Sequence, residues 1–244
     1  MHIGILQAGH LPPELRRRHG DYDAMFATLL AGRGLRFTTW DVEHMTFPAS
    51  PRDADGWLIT GSRHGVYEDH PFIPPLEAFV RDAYAANRPL VGICFGHQIV
   101  AQALGGHVEK FDGGWGLGRH DYDLGPGRRI TLNAWHQDQV VARPPQARPI
   151  ARSPFCENAM LVYADANGAE AGPDRAFTIQ AHPEFDDAVI SDFVATRRGT
   201  GDYPDDRMDV AATAAADGSI EAERARMAGA IVSFFTDRRA HVPG

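Results

Sequence analysis

The 244-residue chain carries only two cysteines, Cys94 and Cys156, and a single lysine, Lys110, among 24 lysines and arginines together. Two cysteines cannot build a disulfide framework, so a fold here must rest on its hydrophobic core. No apolar run is long enough to span a bilayer, and the N-terminus enters strand-like His2-Ile3-Gly4-Ile5-Leu6 without a charged-then-apolar leader. A net charge of −8 and a pI near 5.8 leave no basic field for a phosphate backbone, which argues against a nucleic-acid partner. There is no Gly-x-x-x-x-Gly-Lys-Ser/Thr segment and no Gly-x-Gly-x-x-Gly after a strand, so bound nucleotide is not indicated. The 12 histidines show no tight His-x-x-x-His pattern; His64 and His70, His97 and His107, and His120 and His136 read as scattered loop and surface residues. The expectation is a cytoplasmic protein that needs no metal or cofactor and meets neither membrane nor nucleic acid.

What is present is 43% hydrophobic, enough for one substantial core. Apolar strand-like runs near residues 2–7, 35–41, 56–60 and 89–93 alternate with helical periodicity near 22–33, 74–87 and 95–104. This is the pattern of an α/β protein with a doubly wound, mostly parallel sheet flanked by helices. From Gly105 to about Tyr163 the chain turns Gly- and Pro-rich with short β-prone runs, predicting a small antiparallel addition that caps the sheet. Residues 186–198 and 220–238 read as helices separated by the polar stretch Gly199 to Asp206. The expected organisation is a catalytic domain over 1–198 and a helical C-terminal extension over 199–244. In the extension, Ile220, Met227, Ile231, Phe234 and Phe235 form a stripe that packs back on the domain or meets a partner.

Gly92-Ile93-Cys94-Phe95-Gly96-His97-Gln98 closes the apolar run Pro89 to Ile93 and has the form of a nucleophile elbow with a thiol at its centre. Glycines two positions either side let a strand turn sharply into a helix, holding Cys94 strained and exposed at a helix N-terminus, where dipole and free N–H groups favour a thiolate. The other reading is a buried strand cysteine before an ordinary turn. A thiol nucleophile needs a base, and the base a group that fixes its tautomer. Gln180-Ala181-His182-Pro183-Glu184 follows the strand-like Arg175 to Ile179, so residues 182 and 184 project to one side of an extended backbone. Cys156 is then a spare core thiol. His97 reads as packing beside the sheet, and Trp115 and Trp135 either wall a pocket or fill the core.

These two motifs resemble those of the class I, triad-type glutamine amidotransferases, Gly-x-Cys-x-Gly-x-Gln and His-Pro-Glu, without departure. The resemblance spans roughly residues 50–186. It implies Cys94 as nucleophile, His182 as general base and acid, and Glu184 as its orienting partner. It further implies an oxyanion site from the backbone of Phe95 and the Gly61-Ser62 turn, with Gln98 and the His136-Gln137-Asp138-Gln139-Val140 segment at the substrate. Gly61-Ser62-Arg63-His64-Gly65 and His136-Gln137-Asp138 are closer to the stand-alone γ-glutamyl peptidase branch than to domains fused to synthetases. The implied reaction is hydrolysis of a small-molecule γ-glutamyl amide through a thioester, with the leaving group facing the loops at His64 to Pro71 and Gly113 to Gly118. Three alternatives stay open: a glutaminase component feeding ammonia to a separate synthase, a non-catalytic module of the same fold, and a cysteine hydrolase acting on other amides.

Overall fold

The computed structural model describes residues 1–164, 173–217 and 219–239; residue 218 and the last five positions of the expected 199–244 extension lie outside the described residues. The first half of the chain alternates strand and helix: β1 (His2–Gln7), α1 (Pro13–His19), α2 (Tyr22–Leu29), β2 (Arg36–Asp41), β3 (Gly56–Ile59), α3 (Ile73–Ala85), β4 (Leu90–Ile93) and α4 (Phe95–Ala103). Strands then dominate: β5 (His107–Lys110), β6 (Gly116–Asp123), β7 (Arg129–His136), β8 (Asp138–Ala142), β9 (Ala147–Ala151), β10 (Met160–Tyr163) and β11 (Ala176–Ile179). Three helices finish it: α5 (Asp187–Arg197), α6 (Asp205–Ala216) and α7 (Glu221–Asp237).

The seven-stranded sheet runs β2-β1-β3-β4-β11-β10-β9, parallel from β2 to β11 and antiparallel at β10 and β9. All four residues of β3, β4 and β11 are buried, because central parallel strands are covered on both faces and therefore read as unbroken apolar runs. The edge strand β2 is largely exposed and carries charge and threonine, which blunts edge-to-edge pairing. On one face, Ile3, Ile5, Leu58 and Val91 pack with Phe26 of α2 and with Met227, Ile231 and Phe234 of α7. On the other, Leu6, Trp57 and Ile59 pack with Leu76 and Val80 of α3 and Ile99 of α4. Alternation along each strand decides which side chain goes to which layer.

The mostly parallel sheet and flanking helices follow the sequence expectation; in α7, Met227, Ile231, Phe234 and Phe235 are all buried. The antiparallel region divides: β9 and β10 extend the sheet, while β5 with β8 and β6 with β7 form two separate ribbons. Two helices escaped the pattern. Helix α1 is short, starts at Pro13 with Pro12 as its N-cap, and buries only Leu15. Helix α6 occupies the stretch after Pro204 and buries only Met208 and Ala211; its alanine-rich sequence has no apolar periodicity to reveal it. Helix α2 ends at Leu29 rather than near residue 33, where Gly32 and Gly34 take positive φ. Among the described residues no helix is long and apolar enough to cross a membrane.

His97 packs beside the sheet as expected, fully buried with Nδ1 2.7 Å from Thr178 Oγ1 on β11. Burial pushes its pKa down from 6.5 to about 3. The unfolded chain takes up a proton below pH 6.5 that the native state refuses, so stability is lost as pH falls through this window, by about 1.4 kcal/mol per pH unit from this one group. Urea unfolding of wild type and His97→Gln at pH 7 and pH 5 checks this: the variant should lose about 2 kcal/mol less than wild type over that interval.

Candidate active site

The carboxyl ends of the parallel strands converge on one cleft, the usual location for ligands in an open α/β sheet. Cys94 follows β4, the Gly61-Ser62 turn follows β3, and His182 follows β11. The cleft measures about 930 Å³, and Cys94, Ser62, Gln98, His136 and His182 line it together.

Cys94 sits between β4 and α4 with φ 52° and ψ −104°, a conformation that costs a non-glycine residue about 1–3 kcal/mol. The flanking glycines do not share this strain; they are required by close approach. A Cβ on Gly92 would lie 2.3 Å from the carbonyl oxygen of Gly96, and one on Gly96 would lie 2.3 Å from the carbonyl oxygen of Ile59 on β3. The elbow is thus folded tightly on itself and wedged against the neighbouring strand β3. Contrary to the sequence expectation of an exposed thiol, Cys94 is 5% exposed and forms part of the cleft floor.

The ring of His182 is held on three sides. Its Nδ1 lies 2.6 Å from Glu184 Oε1, both side chains being buried, which leaves Nε2 for the thiol. Its face stacks on Phe185 at 4.1 Å with an interplanar angle of 1°, and a Cβ on Gly61 would come 2.9 Å from its Cε1. The His182 N–H donates to the carbonyl of Asn133, tying the segment to β7. Burial by itself would push the imidazole pKa down; the Glu184 carboxylate and the hydrogen-bonded Cys94 outweigh it and hold the ring well above its ordinary value. Cys156, by contrast, is buried among apolar groups, and burial pushes its thiol up to about 12.

The remaining expected residues also reach this region. Phe95 buries its side chain, so only its backbone N–H, in the first turn of α4 without an intrahelical acceptor, is available there. Ser62 lines the cleft, with its Oγ accepting from the His64 N–H at 3.2 Å. The amide of Gln98 is engaged with the protein, donating to the Asp138 carbonyl at 2.9 Å and to Gln180 Oε1 at 3.2 Å. His136 is buried, its Nδ1 3.2 Å from the Asp138 carbonyl and its Nε2 without a hydrogen-bond partner among the described residues. Burial, with His120 nearby, pushes it down to about 3, so it is a neutral ring. Trp115 and Trp135 both line the cleft, and both contact Tyr203 ahead of α6.

Three contributors escaped the sequence reading. Gln180 donates from Nε2 to Cys94 Sγ at 3.7 Å, linking Gln98 to the thiol; its alternation with 182 and 184 was a usable signal. Tyr22 of α2 lines the cleft and stacks near His182. Arg224 of α7 donates from Nε to the Pro183 carbonyl at 2.9 Å and from Nη2 to the Glu184 carbonyl at 3.1 Å. The scattered-histidine expectation also needs correction: His64, which lines the cleft, and His70 lie with ring centroids 4.0 Å apart, brought together by the loop between β3 and α3.

The glutamine amidotransferase class-I family model matches residues 25–192, and the chain belongs to that family. A protein of Schizosaccharomyces pombe described as glutamine amidotransferase-like is 31% identical over 82% of this chain and 85% of its own length. Gamma-glutamyl peptidase 4 of Arabidopsis thaliana is 26% identical over 73% of this chain and 74% of its own. A glutamine-hydrolysing GMP synthase subunit from Halobacterium salinarum is 30% identical over 72% of this chain and 93% of its own.

Arg224 supports the backbone on which His182 and Glu184 are carried, and hydrogen bonds from a charged group are worth about 1.5–3 kcal/mol. Arg224→Met should therefore lower stability by about that amount. It should also speed amide exchange at Phe185, whose N–H donates to the His182 carbonyl at 3.2 Å. Hydrogen exchange followed by mass spectrometry reads both effects.

Proposed function

We propose that this chain hydrolyses γ-glutamyl amide bonds, using Cys94 as nucleophile, His182 as general base and acid, and Glu184 to orient the imidazole. The observation that carries this reading is the buried line Glu184–His182–Cys94, with the carboxylate 2.6 Å from Nδ1 and the thiol on a strained elbow. A carboxylate on Nδ1 fixes the tautomer and stabilises the charged ring, so Nε2 can take the thiol proton and later return it. The thiolate attacks the γ-carbonyl; the oxyanion meets the Phe95 N–H and the Gly61-Ser62 turn; the departing nitrogen is protonated by His182. Water activated by the same ring then cleaves the thioester, releasing glutamate.

The cleft favours a leaving group larger than ammonia. Its volume of about 930 Å³ approaches the upper end of the ~300–1,000 Å³ typical of small-molecule sites. Its lining includes His64, Gly65, Tyr67 and Glu68 from one, and Trp115 from the other, of the two loops expected to face the leaving group. His136 Nε2, an acceptor on a neutral ring, suits the α-ammonium of the γ-glutamyl part. The kinship with a GMP synthase component supports a second reading, in which the same chemistry on glutamine supplies ammonia to a synthase.

Purified chain should release glutamate from at least one γ-glutamyl peptide or amine. Cys94→Ala should abolish this, with Cys156→Ala unchanged. Glu184→Gln should lower kcat more than it raises KM, and by less than the ~10²–10⁴-fold expected of His182→Ala. An isolated chain inert toward all γ-glutamyl compounds, yet releasing ammonia from glutamine once a synthase is added, would replace the first reading by the second.

A further inference from the structure

We propose that His64, Glu68 and His70 form a binding site for a divalent cation of the zinc type, at the rim of the cleft and independent of the reaction proposed above. One ligand atom from each of the three lies within 4.8 Å of the others. His64 Nδ1 faces Glu68 Oε2 at 3.6 Å, too long for a hydrogen bond between them but close to the separation of about 3.4 Å that two ligands adopt around tetrahedral zinc with bonds near 2.1 Å. His70 Nε2 lies 2.8 Å from the same oxygen and needs to open by about half an ångström to admit the ion. Two imidazoles and one carboxylate form a set suited to zinc, with a fourth position left for water or a ligand.

The second observation lies behind the first. The other nitrogen of His64, Nε2, is 2.9 Å from Glu43 Oε1, and both side chains are only 14% exposed. A histidine that presents one nitrogen to the cation while the other donates to a carboxylate is the supporting arrangement of metal-bound imidazole, fixing both tautomer and ring orientation. Glu43 follows β2, whereas the three ligands belong to the loop after β3, so an ion here would join the two segments bordering the cleft. The adjoining group of His10, Glu43 and His44 is a poorer candidate. His10 Nε2, which faces Glu43 at 3.7 Å, is already 3.2 Å from Asp41 Oδ2, and His44 Nδ1 lies 3.0 Å from that same oxygen.

The test titrates zinc chloride into the full chain calorimetrically and records the absorption spectrum with cobalt(II). Both are done on wild type and on Cys94→Ala, in which the thiol cannot serve as a ligand. The expected result is saturable binding of one ion, a tetrahedral cobalt spectrum and a rise in Tm with zinc. His70→Ala and Glu68→Gln should weaken binding at least tenfold, and Glu43→Gln, which leaves all three ligands in place, by about 10–100-fold. Circular dichroism confirms that each variant is folded, and the half-exposed His70 and Glu68 keep the test meaningful if Glu43→Gln is not. Absence of saturable binding, binding lost in Cys94→Ala relative to wild type, or affinity unchanged in both His70→Ala and Glu68→Gln would overturn the site.

Discussion

The turn at Cys94 is the constraint from which the rest of the site follows. A residue with a side chain holds a positive φ there because β4, α4 and β3 approach too closely for the chain to turn any other way. Gly96 lies so near the Ile59 carbonyl that a Cβ there would collide with it, so any larger residue in the elbow would force β3 and α4 apart. Strain of this kind persists only where the surrounding packing over-determines it. Here the packing is the buried centre of the parallel sheet, where Leu58, Val91 and Ile93 are inaccessible to solvent.

Once the thiol is fixed, the other groups reach it along neighbouring strands. Strand β11 pairs with β4 in parallel, Ile179 opposite Ile93, so the residues that follow each strand emerge side by side. Gln180, His182 and Glu184 occupy alternate positions of that continuation, and Gln180 and His182 both engage the thiol. The buried His182–Glu184 pair is a high-stakes arrangement, since an unpaired charge at this depth would be strongly destabilising. It is shielded by the Phe185 stack and braced from the far side by Arg224.

The C-terminal helices therefore do more than cover the sheet. Helix α7 buries its apolar stripe against one sheet face and, within its first turn, sends Arg224 to the backbone carrying the base and acid. Before α6, Tyr203 meets Trp115 and Trp135, and all three line the cleft. Expected separately as an extension and a pair of ambiguous tryptophans, these pieces form one wall.

Local signals in the sequence determined the central strands, the elbow and the His-x-Glu pair, because unbroken apolar runs, glycine spacing and two-residue alternation are short-range properties. The same signals were silent on α6, whose alanines bury little, and on α1, which is too short to show a period. Only the tertiary structure decided that Cys94 lies at the cleft floor, that Gln98 is engaged with Gln180 and Asp138, and that Arg224 supports residues about forty positions earlier. It also brought His64 and His70 onto Glu68, with Glu43 behind them, although their spacing matches no metal motif. These relations depend on which strand ends lie next to one another, and strand order is set by crossover connections and shared burial, which no local window of residues contains.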